Sequence, residues 1–155
     1  MELSQIGEFL RTYAPADVQH TIAWLSANGY ALVAQEGSST FGAVFVYMGD
    51  AEVRITVDRS RWSLDVAPTP GSKAWQYDLI LAARQGLDYG ALFPETGSRL
   101  HGDALPEQLP VGVSWRDTLP DILQWVHGRT VPALVDGALH QRFALMWPGQ
   151  KMVSE

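Results

Sequence analysis

Apolar residues recur at helical spacing along the N-terminal segment. Leu3, Ile6, Phe9 and Leu10 predict a helix over residues 3–13. Pro15 suits the first turn of a second helix, where its missing N–H leaves no bond unmade. Val18, Ile22 and Leu25, with Ala23 beside them, supply the apolar stripe of that helix. Asn28-Gly29 is a C-terminal stop, because glycine accepts the left-handed conformation without a Cβ penalty. The period then falls to two. Tyr30 to Ala34 reads as a strand, Gly37-Ser38-Ser39 as a turn, and Phe41 to Met48 as a second strand. That second strand is apolar on both faces, which predicts a central, covered position. Gly49-Asp50 turns the chain again. Glu52 to Asp58 alternates, with Val53, Ile55 and Val57 on one face and Arg54 and Thr56 on the other. After an Arg59-Ser60 turn, Trp62, Leu64 and Val66 face inward and Ser63 and Asp65 outward, until Pro68 and Pro70 end the strand. Turns this short impose an antiparallel meander.

Helical periodicity returns in the second half. Trp75, Leu79, Ala82 and Ala83 predict a helix over residues 74–85, stopped by Gly86. Residues 86–114 are rich in glycine and proline and show no period. Irregular connections beyond about 12–15 residues are uncommon and often functional, which makes this one a candidate binding element. Thr118-Leu119-Pro120-Asp121 reads as a capping box with aspartate in the glutamate position. It would open a helix carrying Ile122, Leu123, Trp125 and Val126 and ending at Gly128. Thr130-Val131-Pro132 opens the last helix, whose stripe is Val131, Leu134, Val135, Leu139, Phe143 and Met146. The expected fold is α+β: an antiparallel meander of about four strands over 30–67, two N-terminal helices, and a helical C-terminal half packed on the sheet. No internal linker interrupts the chain, so residues 1–155 are expected to form a single domain.

Composition narrows the chemistry. The chain has 155 residues, 46% hydrophobic and 18% charged, a globular balance that a disordered chain would not have. It has no cysteine, which removes disulfides, iron–sulfur clusters and thiolate nucleophiles together. The start, MELSQIGEFLRTY, lacks a basic region followed by an apolar run, and no stretch reaches the roughly 18 apolar residues of a membrane span. A cytoplasmic protein without membrane association is expected. A net charge of −6 argues against a nucleic-acid partner. Lys73 and Lys151 are the only lysines, so arginine dominates the basic side.

No catalytic constellation stands out. His20, His101, His127 and His140 lack the spacing of a helical or strand metal site. Gly37-Ser38-Ser39-Thr40-Phe41-Gly42 imitates a nucleophile elbow, but between two strands instead of a strand and a helix. Gly71-Ser72-Lys73 and Gly97-Ser98-Arg99 miss the spacing of a phosphate loop. Asp50, Glu52, Asp58 and Asp65 lie in or beside the meander, where a catalytic pair is conceivable and solubilising charge is the simpler reading. Of the six tryptophans, Trp62 and Trp75 occupy inward positions, Trp115 falls in a loop and Trp147 at a helix end. No cofactor and no metal are expected.

The stretch from Val53 to Val66, with its Asp58-Arg59 turn and Trp62-led strand, and Trp75-Gln76-Tyr77-Asp78-Leu79 downstream, resembles small actinobacterial immunity proteins of polymorphic toxin systems. The similarity is to the type that includes the immunity factor of the tuberculosis necrotizing toxin, an NAD glycohydrolase. The resemblance implies a non-enzymatic inhibitor that covers the active site of a cognate toxin domain in the cytosol, free as a monomer or weak dimer. An acidic inhibitor would be steered toward a basic active site. The partner-binding candidates are Glu36, Asp50, Glu52 and Asp58, taken as exposed acids beside turns, and Asp88, Tyr89, Glu95 and Asp103 of the long connection. Asp58, Arg59 and Trp62 also read as structural. A second class is an acidic secretion chaperone or adaptor, usually dimeric, using an apolar groove such as the Phe41–Met48 strand. A third is a small-molecule-binding domain or enzyme with the long connection as a lid. A closed surface with an acidic patch favours the first, a large apolar groove the second, and a pocket with perturbed carboxylates the third.

Overall fold

Residues 3–38, 42–86, 88–94, 96, 108–150 and 152 are described by the structure, a computed structural model. In chain order they form α1 (Leu3–Tyr13), α2 (Ala16–Ala27), β1 (Ala31–Ser38), β2 (Gly42–Met48), β3 (Glu52–Asp58), β4 (Arg61–Ala67), β5 (Trp75–Gln76), α3 (Tyr77–Gln85), α4 (Tyr89–Leu92), α5 (Trp115–Trp125) and α6 (Val131–Met146). The sheet order is β1-β2-β3-β4-β5, every pair antiparallel. The expected α+β meander is therefore present, with one strand more than the four expected. Trp75 and Gln76, expected inside a helix, pair with Val66 and Asp65 before α3 begins. The pairing sets the Trp75 indole beside the buried Val66 on the sheet, a cross-strand contact that outweighs helix propensity.

Other differences are local. β1 continues to Ser38, beyond the expected end at Ala34, with a bulge between Leu32 and Ala34. Gly37 allows this: it has a φ of 82°, and a Cβ there would lie 2.5 Å from the Gly42 carbonyl oxygen. β2 has strand neighbours on both sides, although β3 is the middle strand. α5 starts earlier than expected, because Ser114 caps it by accepting a hydrogen bond from the Asp117 N–H at 3.1 Å. Trp115, expected in a loop, is thus the first residue of that helix and is buried. Asp17 of α2 reaches the same helix end, its carboxylate accepting from the N–H groups of Trp115 and Arg116, both at 2.9 Å. A carboxylate at a helix N-terminus completes the exposed backbone donors and suits the dipole.

Alternation divides the sheet into two unlike faces. The inner face carries Ala43, Phe45 and Tyr47 of β2, Val53, Ile55 and Val57 of β3, and Leu64 and Val66 of β4. These cluster with Leu10 of α1, Val18 and Leu25 of α2, Tyr77 and Ile80 of α3, and Leu119 and Ile122 of α5. Trp62 faces inward as the alternation predicted and is partly buried against this cluster. A second cluster joins Leu79, Ala82 and Ala83 of α3 to Tyr89, Phe93, Val131, Val135 and Ala138. Helix α3 is consequently buried from Tyr77 to Ala83, with the sheet cluster on one side and α4 and α6 on the other. Neither cluster contains a residue from the outer face.

The β3–β4 hairpin closes on Arg59 and Ser60, with φ of 52° and 66°. Two positive φ values are the signature of a type I′ turn, which normally uses Asn-Gly. A non-glycine residue in the left-handed region costs roughly 1–2 kcal/mol. Changing Arg59→Asn together with Ser60→Gly is therefore expected to raise stability by about 1 kcal/mol, read as a higher urea midpoint at unchanged slope. A lower midpoint would mean that the Arg59 or Ser60 side chain compensates the backbone strain.

Candidate functional site

The outer face is built by the residues that the inward set leaves behind. One cross-strand row runs Glu36, Val44, Thr56 and Ser63; the next runs Ala34, Val46, Arg54, Asp65 and Gln76. Arg54 is the hub. Its Nε donates to Glu52 Oε2 at 2.6 Å. That hydrogen bond raises the basicity of the guanidinium, and the charges of Glu52, Glu36 and Asp65 add to it. Glu52 is thus the carboxylate bonded to Arg54, while Glu36 and Asp65 act on it through their charge.

Asp65 carries the perturbed carboxyl. Burial pushes its pKa up to about 6, and the charge of Asp78 pushes the same way, against Arg54 and the Gln108 amide. Gln108 also accepts from the Leu64 N–H at 2.7 Å, holding the end of the long connection on β4. An acid raised in the folded state binds protons that the unfolded chain has already released. Its contribution to stability therefore falls as pH rises from about 4 to about 6, and stays low above that. Asp65→Asn is expected to stabilise the chain at pH 7.5, by on the order of 1 kcal/mol after solvent screening, and not at pH 4. Melting curves at the two pH values check this; an equal shift at both would remove the titration from the explanation.

Behind β5 the carboxylate of Asp78 is buried and bonded through Oδ2. Tyr89 donates its hydroxyl proton to Asp78 Oδ2 at 2.5 Å, and Arg142 Nη1 donates to the same oxygen at 2.9 Å. Arg142 Nη1 also donates to Gln76 Oε1 at 2.5 Å. Burial, then the neighbouring Asp78, push the Tyr89 hydroxyl far above its ordinary range, so it remains a donor. This arrangement ties α3, α4 and α6 to the edge of the sheet.

Each partner-binding candidate has a distinct fate. Glu36 is exposed at the β1 end of the outer face, Asp50 in the β2–β3 turn, and Asp58 at the end of β3 opposite Arg61. Asp88 is exposed and caps α4, accepting from the Gly90 N–H at 3.1 Å. Glu52, expected exposed, is 1% exposed, because Arg54 and the Gly71 N–H, 3.2 Å from Oε1, close over it. Tyr89, expected at a binding surface, is buried: its ring stacks on Phe93 and its hydroxyl is taken by Asp78. Glu95 and Asp103 lie outside the described residues. Asp50 and Asp58 stand at opposite ends of β3, about 20 Å apart at the rise of an extended strand, so they share no pocket. Sequence reasoning set Asp65 aside as solubilising charge and passed over Arg54, Asp78 and Arg142 as site residues. The outward alternation of Arg54 and Asp65, joined through a two-residue turn, was a usable signal for the first two. Asp78 and Arg142 stand 64 positions apart and share no local pattern.

Two clefts open elsewhere. One of about 410 Å³ lies between α3 and α5, lined by Leu81, Arg84, Thr118 and Asp121. Another of about 280 Å³ lies between β5 and α6. Neither is lined by Asp65. Among the described residues no group of three histidine or acidic side chains is placed to hold a metal ion, and no helix is long and apolar enough to cross a membrane. Exposed large apolar residues, Tyr13, Val33, Val111 and Leu134, lie on separate elements. In comparisons with known proteins, no family model, no curated protein and no solved structure matches the chain.

Proposed function

We propose that this chain is a protein-binding inhibitor of the immunity type, which neutralises a cognate toxin domain by laying the outer face of its sheet over a basic active site. One observation carries the reading. The outer face joins neither apolar cluster, and along it the acids Glu36, Glu52, Asp58 and Asp65 outnumber the bases Arg54 and Arg61, with Val46 buried in its middle row. Such a face is polar enough to stay in water when free and is short of cations when bound against a basic surface. Asp50 and Asp58 extend the negative field to both ends of the sheet. The overall charge of −6 speeds encounter with a positive partner. A toxin that degrades NAD is the specific form that the family resemblance suggests.

Glu36→Arg, an exposed reversal at the edge of the face, is the informative variant. Association with the toxin domain is expected to slow by roughly tenfold at low salt and much less at high salt. Stability should move by no more than about 0.5 kcal/mol. The partner to use is a toxin domain sought among the neighbouring genes, with rescue of growth on co-expression as the first assay. If Glu36→Arg left both affinity and its salt dependence unchanged, the outer face would not be the interface. If the wild-type chain neither rescued growth nor bound the toxin, the inhibitor reading itself would fall.

A further inference from the structure

We propose that the cleft between β5 and α6 binds a small organic carboxylate carried on an apolar body. The cleft holds about 280 Å³, just below the usual range for ligand pockets, so the ligand must be small. Its floor is apolar: Leu79 and Val135 are buried, and Leu139 is half-buried beside them. Trp75 forms one wall. It packs against both apolar clusters yet stays half-buried, leaving part of the indole open to a ligand.

Two cations, Lys73 and Arg142, line the same cleft, and Arg142 is paired with the buried Asp78. Lys73 is exposed on the turn before β5. Arg142 lines the cleft with 14% of its side chain exposed, and Gln76 and Asp78 hold it through Nη1. A guanidinium has five N–H donors, and the bonds given among the described residues occupy Nη1, so a held Arg142 has Nε and Nη2 to offer and loses little freedom on binding. Asp136 also lines the cleft, but it is 65% exposed and stands 3.5 Å from His140 Nδ1, at the outer rim. A carboxylate meets Lys73 and Arg142 while its apolar part covers Trp75 and Leu139. This site meets the outer face at Gln76 and does not depend on the inhibitor reading.

The test is a titration of the full ¹⁵N-labelled chain with 3-phenylpropionate, set beside its uncharged analogue 3-phenylpropanol. Saturable shifts are expected at residues 73–79 and 133–142, with millimolar affinity and weaker binding of the alcohol. Lys73→Ala should weaken the carboxylate about two- to fivefold, as for an exposed ion pair, and Lys73→Glu further. Leu139→Trp should abolish binding by filling the cleft, with a melting curve to confirm folding. Equal affinity for acid and alcohol, or shifts that scatter over the surface without saturating, would overturn the proposal.

Discussion

Arg142→Ala is expected to cost about 3–5 kcal/mol of stability, a loss of roughly 10 °C in melting temperature for a chain of this size. The reason is what the substitution leaves behind. Asp78 is 2% exposed, and Arg142 is the only basic side chain bonded to it among the described residues. Removing the guanidinium leaves a buried carboxylate that keeps the Tyr89 hydroxyl but has lost its cation. It also releases Gln76, the last residue of β5, from α6. The pair is not on that account a large net source of stability, since both charges were taken out of water to form it. A double variant, Asp78→Asn with Arg142→Met, should therefore recover most of the loss. Chemical denaturation of the wild type, Asp78→Asn, Arg142→Met and the double completes the cycle. A strongly negative coupling is the expected result. Additive losses would show that Arg142 acts through its packing on α3 and not through Asp78.

The same contrast between local and distant partners explains what the sequence disclosed. Alternation in Val53-Arg54-Ile55-Thr56-Val57 and again in Trp62-Ser63-Leu64-Asp65-Val66 assigns each side chain to a face, and a two-residue turn aligns Arg54 with Asp65. The meander and its charged outer face were therefore legible from neighbours a few positions apart. Trp75-Gln76 was not, because helical spacing of Leu79 and Ala82 continued backward through it, and only the pairing with Asp65 and Val66 overrides that spacing. The start of α5 was misread for a related reason. Thr118 and Asp121 match a capping box, but Ser114 does the capping, and Asp17, 98 positions away from Trp115, reinforces it. Exposure of acids was the least legible property. A glutamate at the first position of a strand after a Gly-Asp turn reads as solvated unless the chain folds back over it.

Glu52 is that case, and Glu52→Lys is expected to be the most damaging change at any of the candidate positions. Asp50 and Glu52 flank the same turn, yet their environments are opposite. Asp50 is exposed, and Asp50→Lys should shift stability by no more than about 0.5 kcal/mol. Glu52 lies opposite Met48 and Ala67 in the sheet, 1% exposed, between the Arg54 guanidinium and the Gly71 N–H. A lysine there would put an ammonium against Arg54 and leave the Gly71 N–H without its acceptor. Breaking a buried pair in this way costs about 3–5 kcal/mol, and the added like charge raises the cost. Glu52→Gln keeps an acceptor for Gly71 and removes the charge, so its loss should be smaller, about 1–3 kcal/mol. Denaturation of the three variants orders them: Asp50→Lys near wild type, Glu52→Gln intermediate, Glu52→Lys lowest. A Glu52→Lys chain as stable as Asp50→Lys would place Glu52 on the surface after all. Loss of toxin binding in Glu52→Lys would report unfolding around β3 and the Gly71 turn, whereas the same loss in Asp50→Lys, with its stability intact, would place the β2–β3 turn in the interface.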